Sequence, residues 1–328
     1  MKLLVYSSKE FEIPYIRAAN SFGYEVVFTR DRLTTNTAMK ALGFKAVSIF
    51  SADDASTNVL EKLHDFGVKF IFNRSAGYDN IHMGSAKEFG IRVAYARAFS
   101  PHAVAEHAVG LALALNRHMI EASRRIERYN FTLKGLVGTN LAGKKAGVLG
   151  TGAIGSALLR ILHGFGCQIL ASDKSPRKEL ETLYDMVYLD KAEVITQSDV
   201  VFICLPLNEE THLLFDQSVL ATMKPGALLI NVARGAIVDS VAVLNALDKN
   251  TIMGYATDVF DREGGLFYRE HGEGELNDDL LKRLIAHPKV LLTPHIGFAT
   301  HEGLVAIANM LFGALECWRS GKKCPNEL

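Results

Sequence analysis

No run of about 20 apolar residues occurs in the 328-residue chain, so a membrane-spanning helix is not expected. Neither sign of charge is in excess: 36 basic and 36 acidic residues give a formal net charge of zero. That argues against a nucleic-acid partner, which would need a basic face. Cysteine is scarce. The four present (Cys167, Cys204, Cys317, Cys324) show no Cys-x-x-Cys spacing, and Cys167 and Cys204 lie in apolar runs as small core residues. The 11 histidines are scattered, so no metal site is expected. The first apolar run, Leu3 to Tyr6, is too short for a signal peptide and reads as a strand. A cytoplasmic location is expected.

What is present centres on Lys145 to Gly155. A short apolar run leads into Gly150-Thr151-Gly152-Ala153-Ile154-Gly155, and Ala157, Leu158, Leu159, Ile161 and Leu162 follow at helical spacing. This is strand, tight turn and helix. Gly150 permits the turn, Gly152 lets the backbone approach a pyrophosphate, and Gly155 lets the helix pack on the strand. The helix N-terminus offers N–H groups and a positive dipole end to that pyrophosphate. A second apolar run, Cys167 to Ser172, ends in Asp173. An acid at about 20 residues past the turn suits a ribose hydroxyl. An ordinary strand–helix turn with a surface Asp is the competing reading.

Before this turn, strand-like runs alternate with helical segments that stop at Gly23, Gly43, Gly67 and Gly90. After it, runs at 186–189, 200–205, 227–232, 252–256 and 290–293 continue the alternation. Such a pattern implies parallel sheets covered by helices. Ser100-Pro101 opens a helix to about His118, apolar around most of its circumference and therefore buried on most sides. Within it Glu106 and His107 read as a structural pair. Glu121 to Asn140 reads as a looser polar bridge, and 101–140 as a hinge and oligomer-contact region. A last amphipathic helix carries Leu304, Ile307, Leu311, Leu315 and Trp318 on one face.

Chemistry is expected at strand ends, where parallel sheets bind ligands. Ser75-Ala76-Gly77, after the Phe70 strand, could form a backbone nest for a carboxylate. A plain loop with an Asx-type turn at Asp79-Asn80 is equally compatible. Arg234, after the 227–232 strand, has a planar fork suited to a carboxylate. Asp258 to Glu263 is an acidic cluster after the next strand, and His295 follows the last. Together, Arg, carboxylate and His fit hydride transfer to a 2-keto acid. That reaction needs a cationic anchor that also polarises the ketone, and a proton donor near neutral pH. A carboxylate beside the His favours the imidazolium and fixes the ring.

These motifs resemble the D-2-hydroxyacid dehydrogenase family, and within it the lactate-type branch. The resemblance runs end to end: Arg74-Ser75-Ala76-Gly77-Tyr78, Ala105-Glu106-His107-Ala108, the glycine turn, Ala233-Arg234-Gly235, Asp258-Val259-Phe260 with Glu263, Thr293-Pro294-His295, and Cys324 to Leu328. It implies two α/β doubly wound parallel-sheet domains with a cleft between them. A flavodoxin-like substrate domain would hold 1–100 and 299–328, and a Rossmann dinucleotide-binding domain 101–298. It implies an NAD-dependent enzyme reducing pyruvate with NADH. A larger 2-keto acid, or a non-catalytic NAD-binding regulator on the same fold, are the alternatives. By resemblance Arg234 binds and polarises the substrate, His295 is the acid/base, and Glu263 is its partner. Ser75, Ala76, Gly77, Tyr78, Phe99 and Phe298 would meet the substrate. Gly150, Gly152, Ala153, Ile154, Gly155, Asp173, Pro206, Thr211, Ala233, Asp258 and Gly297 would meet NAD. A homodimer or homotetramer through the cofactor domain is implied.

Two departures from the family pattern stand out. Phe99 occupies a position where lactate-type members usually carry Tyr, which removes a hydrogen bond of about 1 kcal/mol. Gly264-Gly265 and a long polar stretch to Asp279 follow Glu263, and this loop is expected to move with substrate. Phe298 matches an aromatic wall that favours a small substrate side chain.

Overall fold

Runs of four or five aliphatic residues are buried on both faces only when helices cover both sides of a sheet. The chain meets that requirement twice. The computed structural model describes residues 1–272 and 274–328. It divides into two compact units, Met1–Ser100 with Ala299–Leu328, and Pro101–Phe298.

The first unit begins β1 (Lys2–Val5), α1 (Ile13–Ala19), β2 (Glu25–Phe28), β3 (Ala46–Ile49) and α2 (Thr57–Asp65). It continues with β4 (Phe70–Asn73), α3 (Met83–Glu88) and β5 (Arg92–Tyr95). Its strands are parallel in the order β2-β1-β3-β4-β5, the flavodoxin-like arrangement. The fully buried Leu4, Val47, Ile49, Leu60, Leu63 and Ile71 form its core, each contributing about 1.5–3 kcal/mol by leaving water.

The second unit runs α4 (Pro101–Asn116), α5 (Met119–Ile126), β6 (Lys145–Leu149), α6 (Ala153–Gly164), β7 (Gln168–Ser172), α7 (Lys178–Tyr184) and β8 (Met186–Tyr188). Then come α8 (Lys191–Gln197), β9 (Val200–Ile203), α9 (Gln217–Thr222), β10 (Leu228–Asn231), α10 (Ser240–Asp248), β11 (Gly254–Thr257), α11 (Asp279–Ala286) and β12 (Val290–Leu292). Among the described residues its sheet has seven strands in the order β12-β11-β10-β9-β6-β7-β8. This is a Rossmann order extended by a seventh strand, and it reverses between β6 and β9. Asp190 and Glu193 form a full capping box on α8, and Asp239 caps α10. The last helix, α12 (His301–Arg319), belongs to the first unit and packs there on α1. Its Trp318 stacks on Phe70 with ring centroids 4.9 Å apart. The chain end is tied to β5: Leu328 N–H donates to the Val93 carbonyl at 2.9 Å, and Arg92 forks onto Glu327 at 2.7 and 2.8 Å.

Two local readings differ from the structure. The long helix stops at Asn116 rather than His118, because the buried Asn116 side chain turns to the backbone of Thr139. His118 then takes a left-handed conformation, φ 52°. The segment read as a loose polar bridge contains α5, supported by an Arg125–Glu121 pair at 2.7 Å one helical turn apart. None of the residues of α5 is buried.

Candidate active site

The glycine turn lies where the strand order reverses. Gly150 has φ +91°, and a Cβ there would stand 2.7 Å from the Cys204 carbonyl oxygen at the end of β9. A Cβ on Gly155 would stand 1.9 Å from the Gly150 carbonyl oxygen. Both glycines are therefore dictated by close backbone approach. Gly152 differs: a Cβ there meets nothing within 4 Å. The space beside it, at the N-terminal end of the 12-residue α6, is open to a ligand. First-turn amides of a helix have no intrahelical acceptor, so Ala153, Ile154 and Gly155 present N–H groups there.

Asp173, after β7, lies against the turn rather than out on the surface. Its Oδ2 accepts from Thr151 N at 2.6 Å and Thr151 Oγ1 at 3.1 Å, and its Oδ1 takes Ser175 N at 2.9 Å. Arg177 reaches the same turn, donating to Thr151 O and Ser156 Oγ. Pro206 is exposed just past β9, and buried Thr211 donates to its carbonyl at 2.6 Å, shaping that loop. Room at Gly152, helix-end amides and a nearby carboxylate fit a dinucleotide.

β10, β11 and β12 are consecutive strands, so their C-terminal loops are neighbours. Asn231 pins the first loop, donating to Arg234 O at 2.9 Å and accepting from Ala233 N at 3.1 Å. Half-buried Arg234 donates back to Ala233 O at 2.9 Å. A Cβ on Gly235 would stand 2.1 Å from Asp261 N. That close approach seats the Arg234 loop on the loop bearing Glu263.

His295 and Glu263 are joined, Nδ1 to Oε1, at 2.7 Å, both side chains 18% exposed. Since the carboxylate accepts, the ring carries its proton on Nδ1. Among the described residues Nε2 meets no hydrogen-bond partner. Glu263 Oε2 also accepts from Phe260 N at 3.3 Å. His295 is held in the left-handed region, φ 56°. Its carbonyl takes the Tyr268 hydroxyl at 2.8 Å, and Phe298 stands edge-on to its ring with centroids 6.5 Å apart.

Asp258 is almost fully buried, with its oxygens occupied. Oδ1 accepts from Thr293 Oγ1 at 2.5 Å and Ile296 N at 2.9 Å, and Oδ2 from Gly297 N at 2.8 Å. His107 Nε2 is 3.2 Å from the same carboxylate and 3.0 Å from Thr293 Oγ1. Burial opposes ionisation, but the hydrogen bonds from His107 and Thr293 outweigh it and hold the Asp258 carboxyl below its ordinary range. The Glu106–His107 pair read from the sequence does not form. Neighbouring helical residues point about 100° apart, and Glu106 is exposed while His107 turns to Asp258. The signal for His107 was present: it is one of few ionisable residues on an otherwise apolar helix.

In the first unit, Ser75, Ala76 and Gly77 follow β4 in a bend. Among the described residues none of their N–H groups has a backbone acceptor. Gly77 O is drawn inward by Ser75 Oγ at 2.5 Å and Asn73 Nδ2 at 2.8 Å. Behind the bend lies a residue given no role in the sequence reading. Arg74 is fully buried and forks onto Glu12 at 3.1 Å through Nε and Nη2. It also reaches Tyr6 O at 2.8 Å and Ser48 Oγ at 3.0 Å. It therefore stitches the ends of β1, β3 and β4 together. Removing one partner of such a buried pair costs about 3–5 kcal/mol. Tyr78 is exposed and edge-on to Tyr95 at 5.2 Å, and Phe99 is half-buried.

Among the described residues, no group of His, Cys, Asp and Glu could hold a metal, and no helix is long and apolar enough to cross a membrane.

Comparison with known proteins agrees with this geometry. Residues 109–297 match the family model described as D-isomer specific 2-hydroxyacid dehydrogenase, NAD binding domain. The chain is 41% identical to D-lactate dehydrogenase of Escherichia coli, covering all of both chains, and superposes on the apo structure of that enzyme with a TM-score of 0.89. The structure of a pyruvate reductase of Chlamydomonas reinhardtii gives a TM-score of 0.91 at 34% identity, covering 99% of this chain and 98% of the other. An aromatic 2-oxoacid reductase of Clostridium sporogenes is 36% identical over 95% of this chain and 93% of its own. Likeness over the whole chain, with a matching cofactor domain, makes this protein a member of the D-isomer specific 2-hydroxyacid dehydrogenases, NAD-dependent oxidoreductases that act on small 2-hydroxy acids.

Proposed function

We propose that the enzyme reduces pyruvate to D-lactate with NADH and runs in reverse with D-lactate and NAD. The observation that carries the roles is the His295–Glu263 pair, with Nδ1 engaged and Nε2 left for proton transfer. NADH, when bound, supplies the hydride to the carbonyl carbon. Arg234 takes the substrate through its fork and polarises the ketone oxygen. The Ser75, Ala76 and Gly77 amides hold the carboxylate. His295 delivers the proton to the developing alkoxide from Nε2, and Glu263 stabilises the imidazolium and fixes the ring. Tyr78, Phe99 and Phe298 shape the pocket around the substrate side chain.

Gly150 to Gly155, Pro206, Thr211, Ala233, Asp258 and Gly297 serve the cofactor. Asp173 selects NAD, because a 2′-phosphate would meet its carboxylate. Asp173→Ala should narrow the ratio of NADH to NADPH turnover, and an unmoved ratio removes Asp173 from the cofactor site.

Pyruvate should give the highest kcat/KM in a panel with phenylpyruvate and 2-ketoglutarate, read as NADH oxidation. Preference for phenylpyruvate would replace D-lactate by a larger product. One observation favours that second reading: Phe99 stands in place of the usual Tyr, and a relative of comparable identity is named for aromatic 2-oxoacids.

The same reading makes the enzyme a homodimer or homotetramer through the cofactor-binding unit. Met119, Ile126, Tyr129, Phe131, Leu133 and Val137 are all exposed there within one short segment, an apolar surface suited to a second copy. It also places the enzyme in the cytoplasm.

A further inference from the structure

We propose that His107 is a positioning residue for the proton-transfer step, holding Thr293 and Asp258 so that the Asp258 carboxylate fixes the turn that presents His295. The inference rests on His295 being the proton donor.

The chain of contacts is continuous. His107 stands on α4, which is anchored by buried Ala105, Ala108, Val109 and Ala112. Thr293 Oγ1 gives its proton to Asp258, so it has only lone pairs left for His107, and His107 carries its proton on Nε2. Nε2 stands 3.0 Å from Thr293 Oγ1, and Asp258 Oδ1 lies 3.2 Å from the same nitrogen. Thr293 and Asp258 follow β12 and β11, two adjacent strands, so His107 closes the gap between their ends. Asp258 then takes the N–H groups of Ile296 and Gly297, the two residues after His295. Gly297 packs tightly here: a Cβ would stand 3.0 Å from Asp258 Oδ2 and 3.4 Å from His107 Cδ2.

The turn needs this support because His295 is a non-glycine residue in a left-handed conformation. Such a conformation persists only where the surroundings over-determine it. His107 Nε2 is turned to Thr293 and Asp258, and its effect reaches the reaction through the place of His295.

The test is a double-mutant cycle. His107→Leu is measured alone and in a His295→Gln background, with circular dichroism and Tm recorded for each. A misplaced proton donor costs up to about 100-fold. His107→Leu alone should therefore lower kcat for pyruvate reduction by about 10–100-fold, with KM for pyruvate little changed. In the His295→Gln background the same change should have almost no further effect. Thr293→Val should reproduce the loss, and Thr293→Ser, which keeps the hydroxyl, should restore most of it. Thr293→Val carries the cycle if His107→Leu does not fold. An equal fall in kcat in both backgrounds overturns the proposal and leaves His107 a structural residue. Near-normal turnover in His295→Gln alone overturns the assignment of His295 itself, and this inference with it.

Discussion

The cofactor-binding unit contains two histidine–carboxylate pairs, and they differ in one respect that decides what each can do. In His295–Glu263 the ring uses one nitrogen on the carboxylate, and the other meets no protein group among the described residues. In His107–Asp258 the same Nε2 faces both the carboxylate and Thr293. The carboxylates differ too. Glu263 is 18% exposed, whereas Asp258 is 3% exposed and receives two backbone N–H groups. A pair with a spare nitrogen can pass a proton outward. A pair whose Nε2 faces Thr293 and whose carboxylate takes two backbone N–H groups holds its neighbours still. Like functional groups thus differ in which ring nitrogen is engaged and in how fully the carboxylate is occupied.

Breaking the first pair should have the largest effect. His295→Gln should lower kcat for pyruvate reduction by about 10²–10⁴-fold, the usual worth of a positioned acid/base. NADH affinity by fluorescence titration should stay close to wild type, and its loss would count against the assigned role. Glu263→Gln keeps the shape and an acceptor while deleting the charge that favours the imidazolium. Its fall in kcat should be smaller than that of His295→Gln. A larger fall would mean that Glu263 acts on the substrate directly.

The second pair should be felt in stability. The Asp258 carboxyl titrates below its unfolded value, so its ionised form favours the folded state. This contribution is complete above the unfolded Asp value of about 3.9 and is lost as pH falls through the lower folded value. In urea melts, Asp258→Asn should therefore be less stable than wild type at neutral pH, with the gap closing below about pH 4. A gap that stays constant across that range would show that the Asp258 charge adds nothing to folding.

Much of this architecture was legible before any coordinates. The Gly150–Gly155 turn is a local device whose first and last glycines follow from backbone contacts within one strand–turn–helix and the strand beside it. Arg234, Glu263 and His295 were legible because each stands just past an apolar run, and parallel strands bring their ends together. His107 was misread because its partners lie far along the chain, Thr293 being 186 residues away. Arg74, quoted in a motif, was given no role for the same reason: Glu12 is 62 residues before it. The Gly264–Gly265 loop, expected to move with substrate, carries two aromatic contacts just past its glycines. Phe267 is buried with Leu244, Phe260, Leu281 and Leu284, and Tyr268 bonds to His295 O. Residue 273 of that loop lies outside the described residues. Two glycines said nothing of the aromatic contacts two and three residues on.

The amino-acid sequence by itself determined the alternation of strands and helices, the glycine turn and the standing of Arg234, Glu263 and His295 past strand ends. Each depends on neighbours within a few residues or on a repeating apolar period. The tertiary structure alone decided which ring nitrogen each histidine engages, Nδ1 on Glu263 for His295 and Nε2 on Thr293 and Asp258 for His107. That choice depends on the group standing about 3 Å from the ring, and chain folding supplies it from a distant strand.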